Sequence, residues 1–250
     1  MAFYRLARAA DDVADNPRLT ANDKITRLDS FARAISGAKA ADPAFRRAYE
    51  LGRSLADSEE PYRYVELLID AFKRDAVQSR YETFEDLLDY CRYSAAPVGR
   101  FLIDLHRESP SLYPASDALC IALQLLNHLQ DCRRDYISLN RIYLPQEWMQ
   151  LERADNESLR AIKESVQLRR VFDRCLDATD ELLKSGSPLP CQIQSRRFGM
   201  EAETVLTIAR TLSAKLRRKD LLANHVKLSK AAVVACFVHG IGSVARFRRV

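Results

Sequence analysis

Apolar side chains return every three or four positions along nearly all of this 250-residue chain, and only seven glycines and nine prolines interrupt them. That period gathers side chains on one face of an α-helix. A β-sandwich or barrel would need more turn punctuation. Phe3, Leu6, Ala7, Ala10, Val13 and Ala14 mark a helix that Asn16-Pro17 stops. Thr20 to Asp23 reads as a cap for the stripe Ile25, Leu28, Phe31, Ala32 and Ile35, which Gly37 ends. Asp42-Pro43 opens a third helix with Phe45, Ala48 and Leu51 inward. Pro61 opens a helix through Leu67, Leu68, Ala71 and Phe72. Thr83 caps the next, with Leu87, Leu88 and Cys91 as its apolar face. The pattern breaks at Pro97 and resumes to His106. A strongly periodic helix runs from Ser116-Asp117 to about Ile137, through Leu119, Ala122, Leu123, Leu126 and Leu129. Beyond a loop with Tyr143-Leu144-Pro145, three more helices are expected around 156–184, 190–213 and 218–240. The chain reads as all-α and as one domain over 1–250.

Two segments share an unusual pattern, Asp11/Asp15 and Asp131/Asp135. Each places two carboxylates one turn apart on a single helix face. Like charges at that spacing repel by ~0.2–0.5 kcal/mol, and Asp is a poor helix former. A divalent cation would compensate. Asn127 extends the second stripe, so oxygen-bearing side chains stand at i, i+4 and i+8. An all-oxygen donor set suits Mg2+. One such pair on a surface helix is common and carries no function. Two pairs, 120 residues apart on apolar helices, single this chain out.

Composition narrows the remaining classes. A net charge of +5 fits an anionic ligand or an anionic membrane surface. Basic and acidic residues interleave, and no zinc-finger or RNA-platform motif occurs, so nucleic acid is not an expected partner. Cys91, Cys120, Cys132, Cys175, Cys191 and Cys236 form no CxxC pair, and buried reduced thiols in a cytoplasmic protein are expected. Asp11, Asp12 and Asp15 are unlike a secretory leader. Ala231 to Ala245 is uncharged but too short to span a bilayer. It reads as a buried terminal helix, or as an interfacial one with Arg246, Arg248 and Arg249 toward the inner membrane. His106, His128, His225 and His239 show no HExxH or triad spacing, although His128 adjoins Asn127. Gly240-Ile-Gly242 lacks the third glycine and the strand of a dinucleotide fingerprint.

These residues resemble the squalene/phytoene synthase family. Its first aspartate motif, preceded by Tyr and Arg on the same helix, is similar to Tyr4, Arg8, Asp11 and Asp15. Its second, Q-x-x-N-x-x-x-D-x-x-x-D, is matched by Gln124, Asn127, Asp131 and Asp135. Its tyrosine loop resembles the stretch from Tyr90 and Tyr93 to Gly99, and its R-I/V-Y-L-P element resembles Arg141 to Pro145. The match runs in order over nearly the whole chain.

The resemblance implies an isoprenoid-synthase helical bundle around a central cavity, acting on an isoprenoid diphosphate. It implies Mg2+ on Asp11, Asp15, Asn127, Asp131 and Asp135, with substrate on Tyr4, Arg8, Tyr90, Gln124, Asn127, Arg141 and Tyr143. Tyr93, Asp131 and Asp135 would take part in the chemistry. Ionising the diphosphate needs charge neutralisation, with Arg8 and Arg141 as cationic contacts, and the carbocation needs a dry pocket with π-faces, lined by Tyr93, Tyr90 and Phe72. Asn-His-Leu-Gln-Asp-Cys at 127–132 and Asp-Tyr at 135–136 look most like the hopanoid-pathway branch. That branch converts presqualene diphosphate and water to hydroxysqualene and diphosphate. The phytoene and dehydrosqualene branches usually read N-I-L-R-D at that place. Head-to-head condensation of farnesyl or geranylgeranyl diphosphate is the alternative activity. A non-catalytic assembly factor is the third reading, and such proteins typically erode the aspartates. Downstream pathway enzymes are implied partners. Relatives generally carry a further helix before Phe3-Tyr4, so an exposed core face is expected where it packs. Arg134 stands where relatives often place an acid, and Ala96 where this branch often has a polar residue.

Overall fold

A computed structural model describes residues 2–35, 45–46, 50, 59–223 and 225–247, and among these eleven α-helices form, most of them where the apolar period predicts a helix and a short one, Gln146–Leu151, where a loop was expected. In chain order they are α1 (Ala2–Ala14), α2 (Ala21–Ile35), α3 (Glu59–Val77), α4 (Phe84–Ser94), α5 (Ala96–Leu105) and α6 (Tyr113–Leu139). They continue as α7 (Gln146–Leu151), α8 (Val166–Gly186), α9 (Leu189–Gln192), α10 (Arg196–Leu216) and α11 (Lys230–Phe247). Among the described residues the extended pairing is one isolated bridge between Tyr81 and Pro145. The fold is therefore all-α.

Local chemistry sets the ends. Thr20 and Asp23 cap α2 reciprocally: the Asp23 N–H donates to Thr20 Oγ1 at 3.2 Å, and the Thr20 N–H donates to Asp23 Oδ2 at 3.3 Å. Thr83 and Asp86 do the same for α4. Asn140 closes α6 in the left-handed region, at φ 54°.

Two apolar cores stand side by side. Phe3, Leu6, Leu28, Phe31, Tyr64 and Phe101 unite α1, α2, α3 and α5. Leu126, Leu129, Phe172, Leu176, Leu206 and Leu216 unite α6, α8 and α10. A smaller cluster with Tyr81, Tyr90, Ile121 and Tyr143 lies between them.

Several expectations need correction. The helix expected at 156–184 begins at Val166, because Ser165 caps it. The one expected at 190–213 begins at Arg196, capped by Ser195. Residues 218–223 and 225–229 are not helical, since Asp220 accepts the N–H groups of Leu222 and Ala223 while Leu221, Leu222 and Val226 fill the larger core. α11 is not buried. It packs on α10 along Cys236 and Gly240, where a Cβ on Gly240 would collide with Thr204, and leaves Val234, Phe237 and Val238 exposed. Among the described residues no helix is long and apolar enough to cross a membrane. All six cysteines are free, but Cys191 is exposed. Gly37 and most of the helix expected after Asp42-Pro43, with Ala48 and Leu51, lie outside the described residues, as do Arg248 and Arg249.

Candidate active site

α1 carries two stripes. Phe3, Leu6, Ala10 and Ala14 are buried toward α2 and α3. Tyr4, Arg8 and Asp11 face a cavity of about 740 Å³, a size suited to an organic ligand. Asp15 lies one residue past α1 but keeps its turn, its N–H donating to the Asp11 carbonyl at 2.9 Å. α6 forms the opposite wall. Its apolar stripe feeds the larger core, and Gln124, Asn127, His128, Asp131 and Asp135 line the cavity. Phe72 and Asp75 from α3, and Tyr90 and Ser94 from α4, line it further.

An extended segment after α6 adds the last wall. Its Ile142 N–H donates to the Ser79 carbonyl and its Gln146 N–H to the Tyr81 carbonyl, each at 2.9 Å. Extended backbone alternates its side chains. Ile142 and Leu144 enter the core, while Arg141 and Tyr143 line the cavity.

The mouth is rich in carboxylates, partly matched by arginines. Arg8 pairs with Asp11 at 3.0 Å and Asp12 at 3.2 Å. Arg134 pairs with Asp131 at 2.8 Å and Asp135 at 3.5 Å. Buried Arg141 donates to Asp15 Oδ1 at 2.6 Å and to the Ala14 carbonyl at 2.8 Å. Even so, burial and then the Asp15 charge raise the Asp11 pKa to about 6. Burial, opposed by Arg134 and reinforced by Asp131 and Asp15, raises Asp135 to about 7. Asp131 Oδ1 is buried with no hydrogen-bond partner, the His225 Nδ1 standing 3.7 Å away. An orphaned carboxylate oxygen and mutually repelling acids across one cavity fit a hard dication. Among the described residues no three His, Cys, Asp or Glu side chains form a metal cage of their own.

This charge crowding has a testable sign. Unfolded, these carboxyls titrate near 3.8, so between that value and about 7 the folded chain holds more protons. Stability then falls as pH rises through that window. His128, lowered by burial to about 3, opposes the trend in part as pH falls through its ordinary 6.5, where the unfolded chain takes up a proton that the folded one does not. On acidification from about pH 8 to 6.5 without metal, the melting temperature is expected to rise by ~3 °C, and Asp135→Asn should flatten the slope. Calorimetry across that range checks it.

Beneath the mouth lies an aromatic cluster built on Asp75. Tyr90 Oη donates to Asp75 Oδ2 at 2.6 Å and Tyr143 Oη to Asp75 Oδ1 at 3.0 Å. Burial raises the Asp75 pKa to about 6 against the pull of Arg141 and both hydroxyls. The His128 ring stacks on Tyr143, with centroids 3.7 Å apart.

Of the residues expected at the site, the fold brings together Tyr4, Arg8, Asp11, Asp15, Tyr90, Gln124, Asn127, Asp131, Asp135, Arg141 and Tyr143. Tyr93 does not join the lining. Tyr90 and Ser94, four residues apart, take the inward face of α4, and the Tyr93 ring lies under the Arg74 guanidinium at 4.2 Å. Phe72 both packs against the core of α1, α2, α3 and α5 and lines the cavity. Asp75 and Ser94 were not singled out from the sequence. The signal for Asp75 is its place in the stripe of Leu68 and Ala71, both buried, where a carboxylate is out of character.

Known proteins are similar to this chain in sequence and fold. The squalene/phytoene synthase family model matches residues 1–232. The hydroxysqualene synthase of Sinorhizobium fredii is 37% identical over 245 residues, spanning 98% of this chain and 82% of that relative. The hydroxysqualene synthase of Zymomonas mobilis is 38% identical, spanning 97% and 82%. A solved squalene synthase from Alicyclobacillus acidocaldarius superimposes with a TM-score of 0.73 at 32% identity, over 87% of this chain and 81% of that one.

Proposed function

The chain belongs to the squalene/phytoene synthase family, and from that premise we propose that it converts presqualene diphosphate and water to hydroxysqualene and diphosphate. The observation that carries this reading is one cavity with aspartate pairs on two facing walls and an aromatic cluster beneath them. The similarity to hydroxysqualene synthases over almost the full chain favours this reaction over condensation.

Asp11, Asp15, Asn127, Asp131 and Asp135 would hold Mg2+ together with the diphosphate. Bound there, Mg2+ supplies Lewis-acid neutralisation of the leaving group. Arg8, at the mouth, offers the diphosphate oxygens a further positive charge. Arg141, committed to Asp15 and Ala14, fixes the α1 wall and adds positive field. The carbon–oxygen bond breaks with its electron pair leaving on diphosphate. Phe72, Tyr90 and Tyr143 present apolar and π surface to the cation and exclude bulk water. Asp75 holds both tyrosine hydroxyls and places a buried carboxylate behind them. Water adds to the cation and one proton leaves.

The test is incubation with presqualene diphosphate and Mg2+, and separately with farnesyl diphosphate, reading products by mass. Hydroxysqualene from the first is expected. Turnover of farnesyl diphosphate instead would favour head-to-head condensation. No turnover of either would leave the assembly-factor reading.

A further inference from the structure

Ser94 Oγ and His128 Nε2 belong to residues that line the cavity, and both atoms are buried without a hydrogen-bond partner in the protein. Buried polar groups are rarely left so, and an exception calls for a ligand. A third orphan on this lining, Asp131 Oδ1, is accounted for by the cation at the mouth. The other two are not, because a serine hydroxyl and an uncharged imidazole among aromatic rings make a poor seat for a hard dication.

Their surroundings are the aromatic cluster that the proposed function sets against the cation. The His128 ring lies 3.7 Å from the Tyr143 centroid and 6.1 Å from that of Tyr90. Ser94 follows Tyr90 by four residues on α4, one turn along the same face. Each group can donate or accept one hydrogen bond. The ligand that satisfies both is small, polar and able to do both, which describes a water molecule.

We propose that Ser94 and His128 hold the water that captures the carbocation, and so determine that the product is an alcohol. The inference rests on the reaction proposed above. The water oxygen forms the new carbon–oxygen bond, one of its protons passes to the diphosphate just released, and nothing is oxidised or reduced. Without a held water the same cation loses a proton from carbon and yields a hydrocarbon.

The experiment compares the wild-type protein with Ser94→Ala, His128→Leu and the double variant, each given presqualene diphosphate and Mg2+. Hydroxysqualene and released diphosphate are both quantified. Their ratio concerns only molecules that have ionised, so a partly folded preparation does not distort it. The ratio is expected to fall by ~10-fold in the double variant, with the missing product found as hydrocarbon. His128→Gln, which keeps a donor and an acceptor, should recover part of the loss. Should His128→Leu fail to fold, Ser94→Ala decides by the same ratio. A wild-type ratio in Ser94→Ala and in the double variant overturns the proposal. Wild-type protein that releases no diphosphate overturns the functional reading beneath it, so the two failures are told apart.

Discussion

Asp131→Ala is expected to lower diphosphate release by at least ~10³-fold while leaving helicity unchanged. Asp131 stands at the centre of the α6 stripe, between Asn127 and Asp135, and its Oδ1 is the orphaned oxygen that a cation would complete. Removing it takes away a ligand that neither Asn127 nor Asp135 can replace from a turn away. Stability should move the other way. The Asp131 charge helps push the Asp135 pKa up, so its loss relieves repulsion. Alanine is also the better helix former. A melting temperature at or above that of the wild type, combined with abolished turnover, is a signature that a structural role does not give. Near-normal product formation would remove the metal role of this carboxylate.

Asp75→Ala is expected to damage both fold and activity. The substitution strands the Tyr90 and Tyr143 hydroxyls, which are buried and whose hydrogen bonds as donors both end on Asp75. Two unsatisfied buried hydroxyls cost ~3 kcal/mol together, or ~6–12 °C of melting temperature for a chain of this length. Asp75→Asn keeps the shape and an acceptor but loses the charge. It should retain most of the stability and still lose ~10²-fold in kcat, with KM little changed, because an interaction realised mainly in the transition state is missing. Full activity in Asp75→Asn would show that the carboxylate serves packing alone.

The helices and the two aspartate stripes were legible because both follow from a period of 3.6 residues, which the sequence carries directly. Tyr4, Arg8, Asp11 and Asp15 fall on one face whatever the rest of the chain does. Asp75 was legible only in part: its place in a buried stripe is visible, but its two tyrosine partners lie 15 and 68 residues away, and only the fold joins them. Tyr93 was expected at the site by resemblance to a family motif, and a motif match does not say which face of α4 turns inward. The start of α11 was missed because apolar residues at 221–228 serve the core without a helix, held by Asp220 in place of a regular hydrogen-bond ladder.

One guanidinium ties the two halves of the mouth together. Arg141 grows from the segment that leaves α6, yet its guanidinium donates to the C-terminal end of α1, at Ala14 and the adjoining Asp15. The side chain thus acts as a calliper whose fixed reach sets how far apart the facing acids stand. An anion too wide for that span could enter only by releasing the grip on Asp15, and one too narrow would touch a single wall. On the function proposed above, the breadth of the diphosphate that fits would then follow from the length of a single arginine.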